Sequence, residues 1–184
     1  MNFRALKKEN MRQVLEWRSK CPEALRTPFQ LTEEQQLSFY DNVICNRNAD
    51  AKFWAIEVEI KPESYGETTC SPFNKFIGMI GLENIQWTNR LAEISIILDP
   101  ECQGKGYGKE AIGILLDKGF NQMNLDNIYG ETYVCNPAYE FWGKMCKLYN
   151  AQMRLLPYRK YYNGVYYDSL YFNFNKGDYI KCRK

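Results

Sequence analysis

Between residues 98 and 111 the chain reads Leu-Asp-Pro-Glu-Cys-Gln-Gly-Lys-Gly-Tyr-Gly-Lys-Glu-Ala, with Gly104, Gly106 and Gly108 at alternate positions. Glycines spaced in this way let the main chain adopt conformations that a Cβ forbids and let it come close to a ligand. A β-rich stretch, Leu91 to Leu98, precedes the loop. Apolar residues at helical spacing follow it: Tyr107, Ala111, Ile112, Leu115, Leu116 and Phe120. The first amides of such a helix lack intrahelical acceptors and stand at the positive end of its dipole. A strand, a glycine loop and a helix start together make an anion cradle suited to a pyrophosphate, with Lys105 and Lys109 adding charge nearby.

Composition narrows the chemistry. The sequence has 184 residues and no histidine. That absence removes Ser-His-Asp hydrolysis, Cys-His proteolysis, His-ligated zinc and imidazole acid–base catalysis, and no metal site is expected. Proton transfer falls to carboxylates, Tyr, Cys, Lys or water. A formal net charge of +2 argues against a dedicated nucleic-acid binder, which needs an excess of Lys and Arg. Seven scattered cysteines without a C-x-x-C pair point to reduced thiols, and the polar start of the chain does not resemble a secretory leader. No apolar run reaches the ~20 residues of a membrane span. A cytoplasmic protein of one domain, residues 1–184, is expected.

The elements that must position the loop follow from periodicity. Asn10 with Gln13, and Thr32 with Gln35, resemble capping boxes opening two helices, the second with Leu37, Tyr40, Val43 and Ile44 inward. A loop from Cys21 to Leu31, containing Pro22 and Pro28, joins them. Strands are expected at Lys52–Ile60, Phe76–Trp87, Leu91–Leu98 and Ile128–Val134, with a surface excursion over Lys61–Asn74. Alternation puts Leu91, Glu93, Ser95 and Ile97 on one face of their strand and Ala92, Ile94, Ile96 and Leu98 on the other. Asn136 can cap a short helix with Pro137 at its first position, and Asn163-Gly164 marks a terminal hairpin. The order is β-α-α-β-β-β-α-β-α-β-β, an α/β (α+β) domain with too few crossovers for a doubly wound sheet.

Three phosphate-binding patterns compete for the loop. The P-loop pattern fails, because no Gly-Lys-Ser/Thr is suitably placed. Gly106-x-Gly108-x-x-Ala111 fits a dinucleotide fingerprint, with Asp126 20 residues after Gly106, although that acid would precede its strand. The third pattern, Gln-x-x-Gly-x-Gly, is met by Gln103, Gly106 and Gly108. With the preceding strand, the element order and Asn136 downstream, the chain resembles the GNAT superfamily of acyl-CoA-dependent N-acetyltransferases over its whole length. Within that superfamily it looks most like the ribosomal-protein or amino-sugar acetyltransferase branches.

The resemblance implies a mixed, mostly antiparallel sheet with helices on both faces, and acetyl-CoA as cosubstrate. It implies that backbone groups of Ile96, Ile97 and Leu98 pair with the pantetheine arm. Gln103, Gly104, Lys105, Gly106, Tyr107, Gly108 and Lys109 would hold the pyrophosphate, with Asn136 touching the arm. Family members often place a Tyr in the following helix as acid for the departing thiolate; this chain has Trp142 there, and Tyr139 is the substitute. Without imidazole, a carboxylate is the expected base for the incoming amine. Neutralising a lysine-like amine of pKa ~10.4 at pH 7 costs roughly 4–5 kcal/mol, against roughly 1–1.5 for an α-amine, which favours acceptors of lower pKa. Glu93 is the first candidate, ahead of Glu83 and Glu131, and the same residue can equally be a paired strand carboxylate. The oxyanion would be met by the Ile97 amide. Arg18, Phe29, Tyr162 and Tyr167 would touch the acceptor, a small-molecule or peptide amine. The tyrosine-rich hairpin can alternatively serve a homodimer. A nicotinamide-dependent oxidoreductase and a non-catalytic acyl-CoA-binding module stay as alternatives.

Overall fold

The computed structural model describes residues 1–26, 29–60 and 72–182, so most of the expected excursion over residues 61–74 lies outside the described residues. Seven strands form one sheet: β1 (Asn2–Arg4), β2 (Lys52–Ile60), β3 (Phe73–Gln86), β4 (Leu91–Leu98), β5 (Asn127–Tyr133), β6 (Gln152–Tyr162) and β7 (Val165–Asn175). Their spatial order is β1-β2-β3-β4-β5-β7-β6, with every neighbouring pair antiparallel except β4 and β5. The turn between β6 and β7 has φ of 48° at Asn163 and 82° at Gly164. Positive φ at both central residues gives the turn whose twist matches the strands it joins.

Side-chain alternation splits the core across the sheet. On one face α3 (Tyr107–Asp117) and α4 (Tyr139–Leu148) cover Ile56, Ile80, Ala92, Ile94, Ile128 and Phe172. On the other face α1 (Asn10–Ser19) sets Met11, Val14 and Trp17 against Ala55 and Met79, with Ile97 partly buried beside them. A second helix there, α2 (Glu33–Phe39), packs Leu37 and Phe39 onto that cluster, together with Tyr40 and Ile44 of the π-turn that continues it. The Thr32–Gln35 capping box that opens α2 is formed in both directions.

Several elements depart from the sequence reading. The Asn10 box does not form: Asn10 is already inside α1, and its Oδ1 accepts the Lys7 amide at 2.9 Å, a turn before the helix. Val43 is outside the cluster it was expected to join, and Gln36 is buried instead. α4 begins at Tyr139 with Ala138 as its N-cap, so Asn136 is not the cap. Asn136 Oδ1 instead accepts the Ala138 amide at 2.8 Å in a turn leading into the helix. A final helix, α5 (Lys176–Cys182), follows β7 and buries Tyr179. No helix among the described residues is long and apolar enough to cross a membrane.

Candidate active site

The parallel contact between β4 and β5 is short. Only Leu91, Ala92 and Glu93 pair with Asn127, Ile128 and Tyr129; beyond that β5 continues beside β7, and β4 beside β3 alone. The Ile94–Leu98 edge is therefore left open toward β5. Which groups it presents follows from register. The Asp99 amide donates to Ile77 O at 2.8 Å. Antiparallel pairs alternate in their hydrogen bonding, so Ile97 and Ser95, two and four residues back, likewise turn their backbone groups to Met79 and Gly81 of β3. Ile94, Ile96 and Leu98 turn theirs into the gap. This corrects one expectation: Ile97 cannot offer its amide to an oxyanion, because that amide faces β3.

The strand feeds the loop through a built turn. Buried Asp99 accepts the Glu101 amide at 3.0 Å, which opens a one-turn helix at Pro100–Cys102. Lys75 lies 3.7 Å from the Asp99 carboxylate. Burial, then the Asp99 charge, pushes the Cys102 thiol up, so it is an inert part of this turn. Gly104 and Gly106 follow at φ of 73° and 88°, and neither has an atom within 4 Å of where a Cβ would stand. Space does not exclude side chains at these positions; backbone strain does. Gly106 is the N-cap of α3, and no side chain among the described residues caps this helix. The first amides of α3 thus have no side-chain acceptor and point outward. Gly108 is set apart by space instead, since a Cβ there would lie 3.1 Å from Phe141 and press on its ring.

Loop and strand edge border a cavity of about 770 Å³. Ile96, Ile97, Leu98, Gln103, Gly104, Gly106, Gly108, Lys109, Asn136 and Trp142 line it, as do Glu93 and Arg18. The remaining expected residues lie elsewhere. Lys105 is exposed, and Tyr107 and Tyr139 lean on the α3–α4 core, so Tyr139 does not reach the cavity. Tyr162 and Tyr167 belong to the hairpin and line no part of the cavity, and Phe29 lines a separate groove that shares Arg18 and Leu25. Trp142 is nearly buried, stacked on Phe172 with ring centroids 4.7 Å apart, and is chiefly a core residue.

The carboxylates opposite the loop were among the sequence candidates, but sequence reasoning missed their partners and the groups beside them. Glu93, 8% exposed, is ion-paired with Arg26 and accepts from Asn84 Nδ2 at 3.0 Å. Glu131 accepts from Ser169 Oγ at 2.5 Å and from Arg159 Nε at 3.1 Å. Burial works against the charged Glu131 carboxylate, but these two bonds, with the charges of Arg159 and Arg26, together hold its pKa below the usual range. Tyr133 is the one phenol lining the cavity among the described residues, and burial pushes its pKa up. Lys160, 5% exposed, donates to Glu23 O at 2.5 Å and Leu25 O at 2.6 Å and sits over the Tyr133 ring. It ties the turn that carries Arg26 to β6. Nothing at these positions forms a sequence motif: the partners lie up to 137 residues apart.

An open strand edge beside β5, with glycine-shaped amides at its end, defines the acyl-CoA-binding fold of acetyltransferases, and residues 1–140 match the acetyltransferase (GNAT) domain family. The chain belongs to this family. Spermidine N(1)-acetyltransferase of Vibrio cholerae is 43% identical over 61 residues, which cover 33% of this chain and 35% of that protein. The Escherichia coli K12 enzyme of the same name is 40% identical over 52 residues, 28% of each chain. These matches span about a third of the relatives' length. Across the whole fold, mutant forms of the spermidine/spermine N-acetyltransferase of V. cholerae superpose with a TM-score of 0.78 at 21% identity, covering 100% of this chain and 98% of that one. The spermidine N-acetyltransferase of V. cholerae in complex with CoA and spermine gives 0.77 at 22% identity, with 97% of each chain covered. The dinucleotide alternative does not fit this topology. The described residues form no parallel βαβ series, and Asp126 is ion-paired with Arg90 at 2.7 Å ahead of β5.

Proposed function

We propose that this chain, acting as one domain over residues 1–184 in the cytoplasm, transfers an acetyl group from acetyl-CoA to a primary amine of a small molecule. The open Ile94–Leu98 edge running into the uncapped, glycine-shaped start of α3 carries this reading. Donors and acceptors on that edge suit the amide-bearing arm of coenzyme A, and the free amides of residues 107–109 suit its diphosphate. Bound there, acetyl-CoA supplies an activated thioester carbonyl. The chain's own contribution is to orient, to exclude water and to move protons. Edge amides of Ile94 and Ile96 are available to a carbonyl oxygen as it gains charge, in place of the Ile97 amide. Glu93 is placed to take the proton of the incoming nitrogen, and Arg26 must release it to do so. Tyr133, protonated at neutral pH, is the phenol available to a departing sulfur in place of Tyr139 and Trp142.

The related enzymes named for spermidine make polyamines the first acceptors to assay. The exposed β6–β7 hairpin, with Leu155, Tyr158, Tyr161, Val165 and Tyr166 at the sheet edge, supports pairing of two copies, which sedimentation would detect. The deciding experiment follows thiol release from acetyl-CoA across a panel of amines, with CoA affinity measured in parallel. Amine-dependent release supports the transferase. CoA binding without turnover on any amine would leave a non-catalytic acyl-CoA-binding module, and absence of CoA binding would end both.

A further inference from the structure

At the end of the cavity away from the glycine loop, Glu83 and Glu93 face each other across β3 and β4. Directly opposed carboxylates repel, so the site needs positive charge. Arg26 meets Glu93, and Glu83 has no ion-pair partner among the described residues. Arg18, near the end of α1, lines the same cavity, and its Nε is fully buried without a hydrogen-bond partner among the described residues. Burial lowers the Arg18 pKa, and only the more distant charge of Glu83 opposes this. A buried guanidinium donor left open is expensive, because it has lost water and gained nothing in exchange. The cavity thus offers, in Glu83 and Arg18, a carboxylate and a guanidinium that feel each other's charge without being ion-paired, while Glu93 and Glu131 are already held by Arg26 and Arg159. A bare polycation matches the first of these groups and is repelled by the second.

We infer that the acceptor is an amine that also carries an acidic group, a carboxylate or a phosphate, which seats on Arg18 while its nitrogen lies toward Glu83 and Glu93. This rests on the transferase reading and specifies its acceptor. Arg18 is a specificity-determining residue: a planar fork suited to an oxyanion, lining the second groove as well as the main cavity.

The test uses acceptors differing only in the acid: γ-aminobutyrate against butylamine, an aminohexose phosphate against the free aminohexose, and spermidine as the polycation. For the wild-type protein, kcat/KM should favour at least one acid-bearing member over its partner and over spermidine by about 30-fold, the range of a charge-assisted hydrogen bond. Whichever pair shows the preference tells carboxylate from phosphate. Arg18→Met should abolish that preference by raising KM for the acid-bearing amine alone, with CoA affinity unchanged; Arg18→Lys should restore part of it. Equal rates within both pairs, or spermidine as the best substrate with Arg18→Met indifferent, would overturn the inference and leave the transferase standing. Failure of the wild-type protein to bind CoA would overturn the transferase reading and this one with it.

Discussion

At one end of the cavity the contacts on offer are main-chain groups: the edge of β4, then Gly104 and Gly106 at left-handed φ, then the first amides of α3. At the other end they are side chains from separate elements: Arg18 from α1, Arg26 from the turn after it, Glu83 and Glu93 from β3 and β4, Glu131 and Tyr133 from β5. The first end needs little from residue identity beyond glycine where φ is positive. The second depends on long-range pairing, as in Lys160 holding the backbone of Glu23 and Leu25. A main-chain site suits a ligand part that is always the same, and a side-chain site suits one that varies.

The sharpest way to break this division is Gly106→Asp. A side chain at φ of 88° is strained, and the new carboxylate would face the diphosphate. CoA affinity should fall roughly 10³-fold by calorimetry; a loss under threefold would remove the loop from the binding site. Glu93→Gln attacks the other end and should lower kcat roughly 10²-fold with CoA affinity intact. A rate near wild type would show that the amine arrives neutral and that Glu93 only anchors Arg26. Tyr133→Phe should lower kcat about tenfold, less than Glu93→Gln, because a thiol of pKa ~8.5 leaves with little help. No change there would assign the last proton to water.

Lys160→Met sharpens the contrast through stability. Losing the two bonds from buried Lys160 to the Glu23 and Leu25 carbonyls should cost about 2 kcal/mol in denaturant unfolding. It should raise KM for the acceptor while leaving CoA affinity alone; a shift in CoA affinity instead would mean the two ends are coupled. The smallest effect belongs to a pair outside both ends. Hydrogen bonding from Arg4, followed by its charge, holds the Glu57 carboxyl below the usual range. Its folded pKa is depressed, so its stabilisation is complete above the ordinary carboxylate value near ~4.3 and is lost as pH falls through the folded value. Glu57→Gln should flatten the acid limb of the melting-temperature profile below about pH 4.5 and leave turnover at pH 7 unchanged.

The same division explains what could be read from the chain alone. β2 and β4 fall at the residues their composition marks, the Asn163-Gly164 turn forms, and the loop after Leu98 takes left-handed φ at Gly104 and Gly106 before α3, because each rests on neighbours in sequence. The direction of the Ile97 amide could not be read. Side-chain alternation fixes faces, whereas the backbone's hydrogen-bonding parity depends on the register set by Asp99 against Ile77. Arg26 on Glu93 bridges 67 positions of sequence, and Lys160 on Glu23 bridges 137. No local pattern records such pairs. Tyr139 was hard to place for a related reason: α4 starts at that residue, and its ring packs against the core.

Among the described residues, three residue pairs join β4 to β5, flanked by the Asp126 and Asn127 amides on Arg90 O. Whatever fills the gap beyond Glu93 therefore acts as a strut between two blocks. Its concentration enters the melting temperature by mass action. The amides of Leu91 to Glu93 and Asn127 to Tyr129 should then exchange with deuterium more slowly as the strut is titrated in, a seam whose tightness reports occupancy.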